Sequence, residues 1–409
     1  MADGVQAIRL PFLTPDLPGI GGRIKAFDED FLVEELPRYQ PCGQGTHVYF
    51  TIEKRGLTTM AAVAMIAKAL GRPARDIGFA GQKDAHAITR QALSLEHVDP
   101  ARIERLQFAR IRVLSVSRHT NKLKLGHLSG NRFAIRVRDV AAGAADRARA
   151  VLAVLAVRGV PNYFGPQRFG VRGDNGVIGA AALRGDYEEA IRNVLGRPGP
   201  FDRPPISDAR RLFDAGQYEK AAALWPAGFT GMSRVCRALA RTGGDFRAAW
   251  LKLDLPARKF YLSACQSEVF NRVLAARVSG LDRLLTGDVA YKHNNGACFV
   301  VEDAGLEQPR CDAFEISPTG PLPGRRLTPA QGEPGRIEQS AIEASGMSGG
   351  SFHAPDGMTL HGERRPLRVP LADPSVEPGR DERGDFVELR FTLPPGVYAT
   401  SVTREVCKE

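Results

Sequence analysis

Alternating apolar and polar positions predict strands near both ends of the chain. Residues 31–36 form a short apolar run, and residues 47–53, 133–138 and 387–393 alternate with a period of two. A period of two is the pattern of a half-buried strand. In 133–138 the polar positions are arginines, so we predict a sheet with one apolar face and one cationic face or edge, typical of antiparallel pairing. Weaker strand patterns are predicted at 111–113, 122–125 and, with a hairpin turn at Asn294-Asn295-Gly296, across 286–302.

Helical periodicity dominates the middle of the chain. Thr58 is a candidate cap for a helix over 58–70, which Gly71 and Pro73 would end. The stretch from 317 to 384 is rich in Pro and Gly, and it predicts long loops with one or two short strands. Further helices are predicted at 144–157, 178–195, 208–224, 232–242, 257–278 and 400–408.

Sheet-forming ends that flank a helical middle indicate an α+β fold with two domains. A chain of 409 residues exceeds the size at which one hydrophobic core stops growing. We therefore predict one domain built from residues 1–158 and 350–409, with a second, mostly helical α/β domain inserted at 159–349.

The composition argues against membrane-spanning, secreted and zinc-binding proteins. No stretch approaches 18 uninterrupted apolar residues, so we expect no spanning helix. The first residues lack a basic segment followed by an apolar core, so we expect no secretory signal. The six cysteines are scattered without a CxxC pair, which argues against a zinc site and fits a reducing cytosol. We expect a cytoplasmic protein that binds neither a membrane nor a metal.

Positive charge is concentrated in one segment. The whole chain carries a net charge of +10, and residues 101–138 hold ten Lys or Arg against the single carboxylate of Glu104. A local excess of this kind favours a phosphate-backbone partner, although a solvated basic face is the alternative. The same charge makes a small-molecule enzyme the weaker hypothesis.

The fourteen residues from Gly78 to Gln91 hold the strongest chemical candidate. Glycines permit backbone angles that other residues avoid, so Gly78 and Gly81 predict a tight turn that pushes Asp84 outward beside cations such as Lys83. A held, ionised carboxylate serves as a nucleophile or a base. On this stretch alone, an acidic residue on a solvated loop is the favoured interpretation. For His86, a hydrogen bond that orders the turn is the favoured role.

A second irregular stretch, residues 160–170, combines two prolines, two glycines and three aromatic residues. Such a loop is either a packed corner or a platform on which bases stack. Both interpretations remain open, and Arg168 within the loop is either an RNA contact or part of the corner.

Six separated stretches together resemble the TruD family of tRNA pseudouridine synthases. They follow the order of the family and cover most of the chain outside 280–386. They are GRIKAFDEDFLVEE (22–35), AGQKDAHAITRQ (80–91), RHTNKLKLGHLSGNRF (118–133), GVPNYFGPQRFG (159–170), RKFYLSACQSEVFN (258–271) and LPPGVYATSVTRE (393–405).

The resemblance implies a pseudouridine-synthase catalytic domain with a mixed, largely antiparallel sheet and an inserted TRUD domain. It makes Asp84 the catalytic aspartate and uridine 13 of the tRNA D-arm the expected target. Tyr398 departs from the Phe that is common in bacterial members, but an aromatic ring is kept. Residues implied at the target nucleoside are Lys25, Phe31, Asn131, Phe133 and Tyr398. Candidates for RNA backbone contacts are Lys83, Lys122, Lys124, Arg132 and Arg168.

The implied reaction is an isomerisation, so we expect no cofactor. It needs a carboxylate near the sugar and flat surfaces that hold a detached uracil. Whether Asp84 attacks C1′ or removes the 2′ proton is left open. Alternatives are a tRNA-binding or tRNA-folding protein on the same scaffold, and a pseudouridine synthase of broader RNA range. We expect a monomer.

Overall fold

A computed structural model describes residues 10–347 and 352–408, and these form fourteen strands and thirteen α-helices. The strands are β1 (Phe31–Pro37), β2 (His47–Arg55), β3 (Gly78–Phe79), β4 (Ile88–Glu96), β5 (Ile111–His119), β6 (Leu128–Arg138), β7 (Val160–Pro161), β8 (Val289–Lys292), β9 (Cys298–Val300), β10 (Ile316–Leu322), β11 (Glu363–Pro366), β12 (Arg368–Val369), β13 (Ala372–Asp381) and β14 (Gly384–Leu393). The helices are α1 (Thr59–Leu70), α2 (Pro100–Glu104), α3 (Ala144–Arg158), α4 (Asn175–Arg184), α5 (Tyr187–Leu195), α6 (Ile206–Asp214), α7 (Tyr218–Leu224), α8 (Thr230–Thr242), α9 (Phe246–Trp250), α10 (Leu255–Arg277), α11 (Ala304–Asp312), α12 (Gly332–Ala344) and α13 (Ala399–Cys407).

The chain divides into two compact units. The sheet unit contains the described residues of Thr14–Val160 and Val369–Glu409, and the inserted unit contains those of Met1–Leu13 and Pro161–Arg368. The sequence-based prediction had the chain return to the first domain at residue 350. Residues 352–368 instead pack in the inserted unit, because β11 pairs antiparallel with β10 there.

One eight-stranded sheet dominates the sheet unit. Seven strands follow the order β13-β14-β6-β1-β4-β2-β5, and β3 pairs with β4. The β1–β4 pair is parallel and the other pairs are antiparallel. β6 lies between β1 and β14, so that Phe133 stands opposite Val33 on one side and Phe391 on the other. The predicted α+β class with a mixed, largely antiparallel sheet is confirmed.

Helix α1 covers the β2–β4 part of this sheet. Thr58 caps it as predicted, since its hydroxyl oxygen accepts a hydrogen bond from the Ala61 N–H at 3.1 Å. Gly71 ends it with a left-handed φ of 68°, a conformation that glycine adopts without strain. The apolar stripe of α1 packs on the alternating apolar side chains of β2 and β4, including Phe50, Ile52 and Leu93.

The inserted unit combines helices α4 to α12 with a four-stranded sheet of order β11-β10-β8-β9. The long helix α10 packs against α4, α12 and β10. The predicted hairpin is confirmed: β8 and β9 pair antiparallel, and Gly296 between them has a φ of 77°. Among the described residues, no helix combines the length and the apolar composition that crossing a bilayer requires.

Two predicted helices are each interrupted by a glycine. The stretch 178–195 contains α4 and α5, and Gly185 between them has a φ of 81°. The stretch 208–224 contains α6 and α7, and Gly216 has a φ of 72°. In both places the glycine adopts a left-handed backbone conformation just after the first helix. This conformation turns the chain away from the helix axis, so the helical hydrogen-bond pattern ends there.

Two other secondary-structure predictions are wrong. Residues 122–125 form no strand, because the Leu123 N–H donates to the Ser94 hydroxyl at 2.9 Å instead of to a neighbouring strand. The stretch 317–384 contains a 13-residue helix, α12, and a 10-residue strand, β13, rather than mostly loops. Its prolines and glycines are compatible with α12 because Pro334 lies in the first turn, where no intrahelical donor is lost.

Carboxylates neutralise part of the cationic segment. Arg138 is buried and binds Asp30 through two nitrogens at 2.7 and 2.8 Å. It also binds Asp381 at 2.7 and 2.9 Å, and these hydrogen bonds hold the pKa of Asp381 below its ordinary value. Arg136 pairs with Glu388 at 2.9 Å. The predicted cationic face therefore includes internal ion pairs that join β6 to the last two strands.

Replacing Arg138 with Met should destabilise the protein strongly, because it leaves Asp30 as an unpaired buried carboxylate. We expect a loss of about 3–5 kcal/mol in the free energy of unfolding. The matched control is Arg132→Met on the same strand, whose pair with Glu34 is exposed and should contribute at most about 1 kcal/mol. Urea unfolding of both variants measures the difference, and equal losses would contradict the assignment.

Candidate active site

Asp84 lies on the loop that joins β3 to β4, which we call the Asp84 loop (residues 80–87). Its side chain is 62% exposed, and Oδ2 accepts a hydrogen bond from Lys25 Nζ at 2.9 Å. Lys25 has a positive φ of 55°, which is uncommon for a residue with a side chain. The loop thus presents an accessible carboxylate that one lysine holds in place.

A polar network fixes the main chain of the Asp84 loop from below. The Lys83 N–H donates to the Thr59 hydroxyl at 2.8 Å, and that hydroxyl donates to Gln91 Oε1 at 2.8 Å. The Gln91 amide in turn donates to the Gly81 carbonyl at 3.3 Å. Thr59 and Gln91 are buried in α1 and β4, so two regular elements anchor the loop.

The side chain of Lys83 is an anchor rather than a surface cation. Its ammonium lies 2.6 Å from Glu35 Oε2, and the two side chains are only 6% and 2% exposed. Glu35 Oε1 also accepts the Ala92 N–H at 3.3 Å. Lys83 was expected at the RNA backbone, but burial in this pair leaves it unavailable to a phosphate.

A second buried lysine reaches the Asp84 loop from β2. Lys54 is fully buried, and its ammonium donates to the main-chain carbonyls of Leu57 and, at 3.0 Å, of Asp84. Burial, reinforced by the positive charge of Lys83, lowers the pKa of Lys54 to about 8. This lysine therefore binds the backbone of the residue whose side chain Lys25 binds.

The glycines of this region act by close approach. The φ of Gly78 and that of Gly81 are not positive, so neither supplies the left-handed turn that the sequence suggested. A Cβ on Gly78 would lie 2.2 Å from the Leu123 carbonyl oxygen, which excludes any larger residue. Within 10–347 and 352–408 the His86 ring makes no hydrogen bond, so the expected ordering role is not observed.

Aromatic side chains adjoin Lys25. Its ammonium lies 4.3 Å from the centroid of the Phe31 ring, a cation–π distance. Phe31 meets Phe133 edge-on at 6.3 Å, and Phe133 meets Phe391 at 5.4 Å. The structure therefore joins Asp84, Lys25, Phe31 and Phe133 through direct contacts, with both phenylalanines buried.

Asn131 and Tyr398 occupy different environments. Asn131 precedes Phe133 by two positions on β6 and so projects from the same face. Its Oδ1 is buried without a hydrogen-bond partner among the described residues, which is unusual for a polar atom and marks a place where a ligand could bind. Tyr398 immediately precedes α13 and is 47% exposed.

An open cleft of about 560 Å³ lies on the sheet unit beside Lys54. Arg55, Arg110 and Arg112 line it. Arg55 pairs with Glu29, and Arg112 pairs with Glu53 at 3.3 Å, whereas Arg110 forms no ion pair with any described residue. The cleft is thus a cationic surface with at least one available charge.

The other RNA-backbone candidates are dispersed. Lys122 donates to the Arg75 carbonyl at 3.0 Å, Lys124 is exposed, and Arg132 pairs with Glu34 at 2.9 Å. These three belong to the sheet unit.

Arg168 lies in the inserted unit, where Nε donates to Ser267 Oγ at 3.0 Å and the guanidinium stacks on Phe164. Phe164 is buried, and its N–H and carbonyl bind the amide of Asn271 at 2.9 and 3.0 Å. The packed-corner interpretation of 160–170 is confirmed for Tyr163 and Phe164, which are both buried.

Sequence reasoning missed the residues that support Asp84, although a signal was present. Lys54 is in phase with Phe50 and Ile52 on the buried face of β2, and Gln91 is in phase with Leu93 on β4. A polar residue at a buried strand position needs a partner and is therefore informative. Glu35 follows the same rule on β1.

In the part of the chain that the structure describes, no group of three or more His, Cys, Asp or Glu is placed to hold a metal.

Comparison with known proteins finds similar chains over nearly the whole length of this one. A family model described as tRNA pseudouridine synthase D (TruD) matches residues 8–406. A Geobacter sulfurreducens protein called tRNA pseudouridine synthase D is 48% identical over 397 residues, which cover 97% of this chain and 96% of that protein. A protein of the same name from Thermus thermophilus is 39% identical over 405 residues, covering 98% of this chain and 92% of that protein.

A solved structure agrees over both units. The crystal structure of a Methanosarcina mazei protein that bears the TruD name superposes with a TM-score of 0.84 at 26% identity. The match covers 98% of this chain and 96% of the other.

Glu35→Gln should destabilise the protein by about 3–5 kcal/mol, because the Lys83 ammonium would remain buried without a carboxylate. The adjacent Glu34→Gln is a matched control, since its pair with Arg132 is exposed and should contribute at most about 1 kcal/mol. Chemical unfolding at neutral pH measures both. If the two variants lose equal stability, the Glu35–Lys83 pair does not anchor the loop.

Proposed function

Because this chain belongs to the TruD family of tRNA pseudouridine synthases, we propose that it converts uridine 13 of the tRNA D-arm to pseudouridine, with Asp84 as the catalytic carboxylate. The observation that carries this proposal is the accessible Asp84 carboxylate, held by Lys25 at 2.9 Å on a loop with buried anchors. We assign the catalytic domain to the sheet unit and the family-specific TRUD domain to the inserted unit.

The reaction moves one glycosidic bond within a single nucleotide. The bond from C1′ to uracil N1 breaks, the bond from C1′ to C5 forms, and the C5 proton is finally replaced by one at N1. No electron acceptor or co-reactant is consumed. Asp84 supplies the carboxylate, either by attacking C1′ or by removing the 2′ proton, and both routes require an exposed side chain.

The detached uracil must be held while it turns. In this proposal Phe31 and Phe133 form the wall beside Lys25, and the exposed Tyr398 ring offers a face for stacking. Base–aromatic stacking contributes about 1–3 kcal/mol per base. The Asn131 amide presents a donor and an unpartnered acceptor, which match the imide edge of uracil.

A target inside a folded tRNA has to leave its base stack, which costs a few kcal/mol. Phosphate contacts offset this cost and make binding fall steeply with salt. Three cations of the sheet unit that form no ion pair with a described residue are suited to these contacts: Arg110, Lys124 and Lys122, whose ammonium donates to a main-chain carbonyl. Arg132 and Arg168 remain candidates that would have to exchange or share their present partners.

The remaining proposals follow from the substrate. A tRNA-modifying enzyme of this kind acts in the cytoplasm, as a monomer and without a cofactor. Two alternatives stay testable: a tRNA-binding or tRNA-folding protein that does not need Asp84, and a synthase that accepts several RNAs. Mapping pseudouridines in total RNA from cells with and without the protein separates a single target from a broader range.

Asp84→Asn should abolish pseudouridine formation, with a loss of at least about 10²- to 10⁴-fold, because the amide neither attacks nor takes a proton. Binding of tRNA should change little. The matched control is Asp76→Asn, whose carboxylate pairs with Arg72 outside the site and should leave the rate unchanged. Pseudouridine mapping on purified tRNA and filter binding provide the two measurements.

If the Asp84→Asn variant modifies tRNA at the wild-type rate, the catalytic assignment is ruled out. Loss of modification together with loss of tRNA binding would show instead that Asp84 supports binding.

Tyr398→Ala should lower kcat/KM by about 5- to 150-fold, equivalent to losing about 1–3 kcal/mol of stacking. Tyr398→Phe keeps the ring and should remain close to the wild type. Phe201→Ala removes another exposed ring, in the inserted unit, and serves as the matched control. Steady-state kinetics with tRNA tests the set, and a defect in Tyr398→Phe as large as in Tyr398→Ala would show that the hydroxyl matters more than the ring.

A further inference from the structure

Lys54 makes contacts that the proposed chemistry does not use. It extends from β2 under the Asp84 loop, is fully buried, and ends at the carbonyl oxygens of Leu57 and Asp84. These carbonyls belong to the segment that precedes α1 and the segment that follows β3. One ammonium therefore joins two separate stretches of main chain, and one of its two contacts is the Asp84 carbonyl itself.

A buried ammonium is costly, so its presence needs a reason. Lysine is almost never fully buried unless it is paired, and no carboxylate of the described residues lies within ion-pair distance of Lys54 Nζ. Methionine or leucine would fill a similar space without loss of hydration. What lysine adds is a charge-assisted hydrogen bond to each of two carbonyls.

We propose that Lys54 is a positioning residue for Asp84: its buried ammonium fixes the Asp84 main chain while Lys25 holds the carboxylate. This inference rests on the proposed role of Asp84. Two contacts on opposite ends of one residue determine both its backbone position and its side-chain direction. A misplacement of about 1 Å in such a group reduces a rate about 10²-fold.

Protonation of Lys54 should then control the rate. The charged groups that face its ammonium are Lys83 and Asp84 on the loop, and its neighbours across β4 and β5 are Thr89 and Ile111, which do not titrate. The lowered pKa of about 8 means that the ammonium becomes an amine just above neutral pH. The amine donates weaker hydrogen bonds, so positioning of Asp84 is lost as pH rises through about 8.

Stability should respond to pH in the opposite direction. The folded-state pKa lies below the ordinary value of 10.5, so between about pH 8 and 10.5 the unfolded chain binds more protons at this site. The contribution of Lys54 to stability therefore rises with pH over that window. This gain follows from the pKa difference alone, so it is also expected of a lysine that only supports the fold. Such a lysine would leave kcat unchanged through about pH 8, whereas a positioning lysine makes kcat fall while stability rises.

The test compares Lys54→Met with Lys68→Met, which removes an exposed charge from α1. We expect Lys54→Met to lower kcat for tRNA modification about 10²-fold, with KM within about twofold of the wild type. The wild-type rate should decline through about pH 8, and this decline should be absent in Lys54→Met. Lys68→Met should match the wild type in rate and pH profile.

Chemical unfolding between pH 7 and 10 supplies a readout that does not depend on activity. The wild type and Lys68→Met should gain stability relative to Lys54→Met as pH rises above about 8. If Lys54→Met modifies tRNA with the wild-type kcat and the wild-type pH profile, the inference is overturned and the proposed function remains intact. A wild type that modifies no tRNA would remove the proposed function itself, whatever the unfolding curves show.

Discussion

The buried ion pair between Glu35 and Lys83 is the interaction on which the candidate site depends. Two opposite charges lie 2.6 Å apart beneath the sheet surface, with almost no solvent access. Charges removed from water are stable only when each keeps its partner, so the pair fixes the distance between β1 and the Asp84 loop. Asp84 follows Lys83 directly, so the pair also restricts where the Asp84 main chain can lie, although Lys83 takes no part in the chemistry.

Much of this fold could be predicted from the sequence, because a strand with one apolar face shows apolar residues at every second position and this alternation is visible in the local sequence. The helix capped by Thr58 and the strands around Phe50, Phe133 and Leu389 are confirmed for that reason. The interruptions at Gly185 and Gly216, and the helix α12 within a Pro- and Gly-rich stretch, depend on tertiary packing that overrides local preference.

The candidate site was only partly visible for a related reason. Asp84 could be singled out because glycines and cations surround it in sequence, and its exposure was expected. Lys83, however, is adjacent to Asp84 in sequence yet points to Glu35, 48 positions away. Local charge patterns do not reveal which cation pairs with which carboxylate, so the cationic segment was read as surface charge although Arg138 binds Asp30 and Asp381 internally.

The order of strands has a consequence for synthesis of the chain. β6 pairs with β14, whose residues lie about 260 positions later, so the sheet remains incomplete while residues 161–368 of the inserted unit are made. At a synthesis rate of roughly 5–20 residues per second, Phe391 and Leu389 are made roughly ten to fifty seconds after their pairing partners Phe133 and Ile135. During that interval a newly made β6 presents an apolar face and an unpaired edge, and this is the period in which a nascent chain has most need of a chaperone.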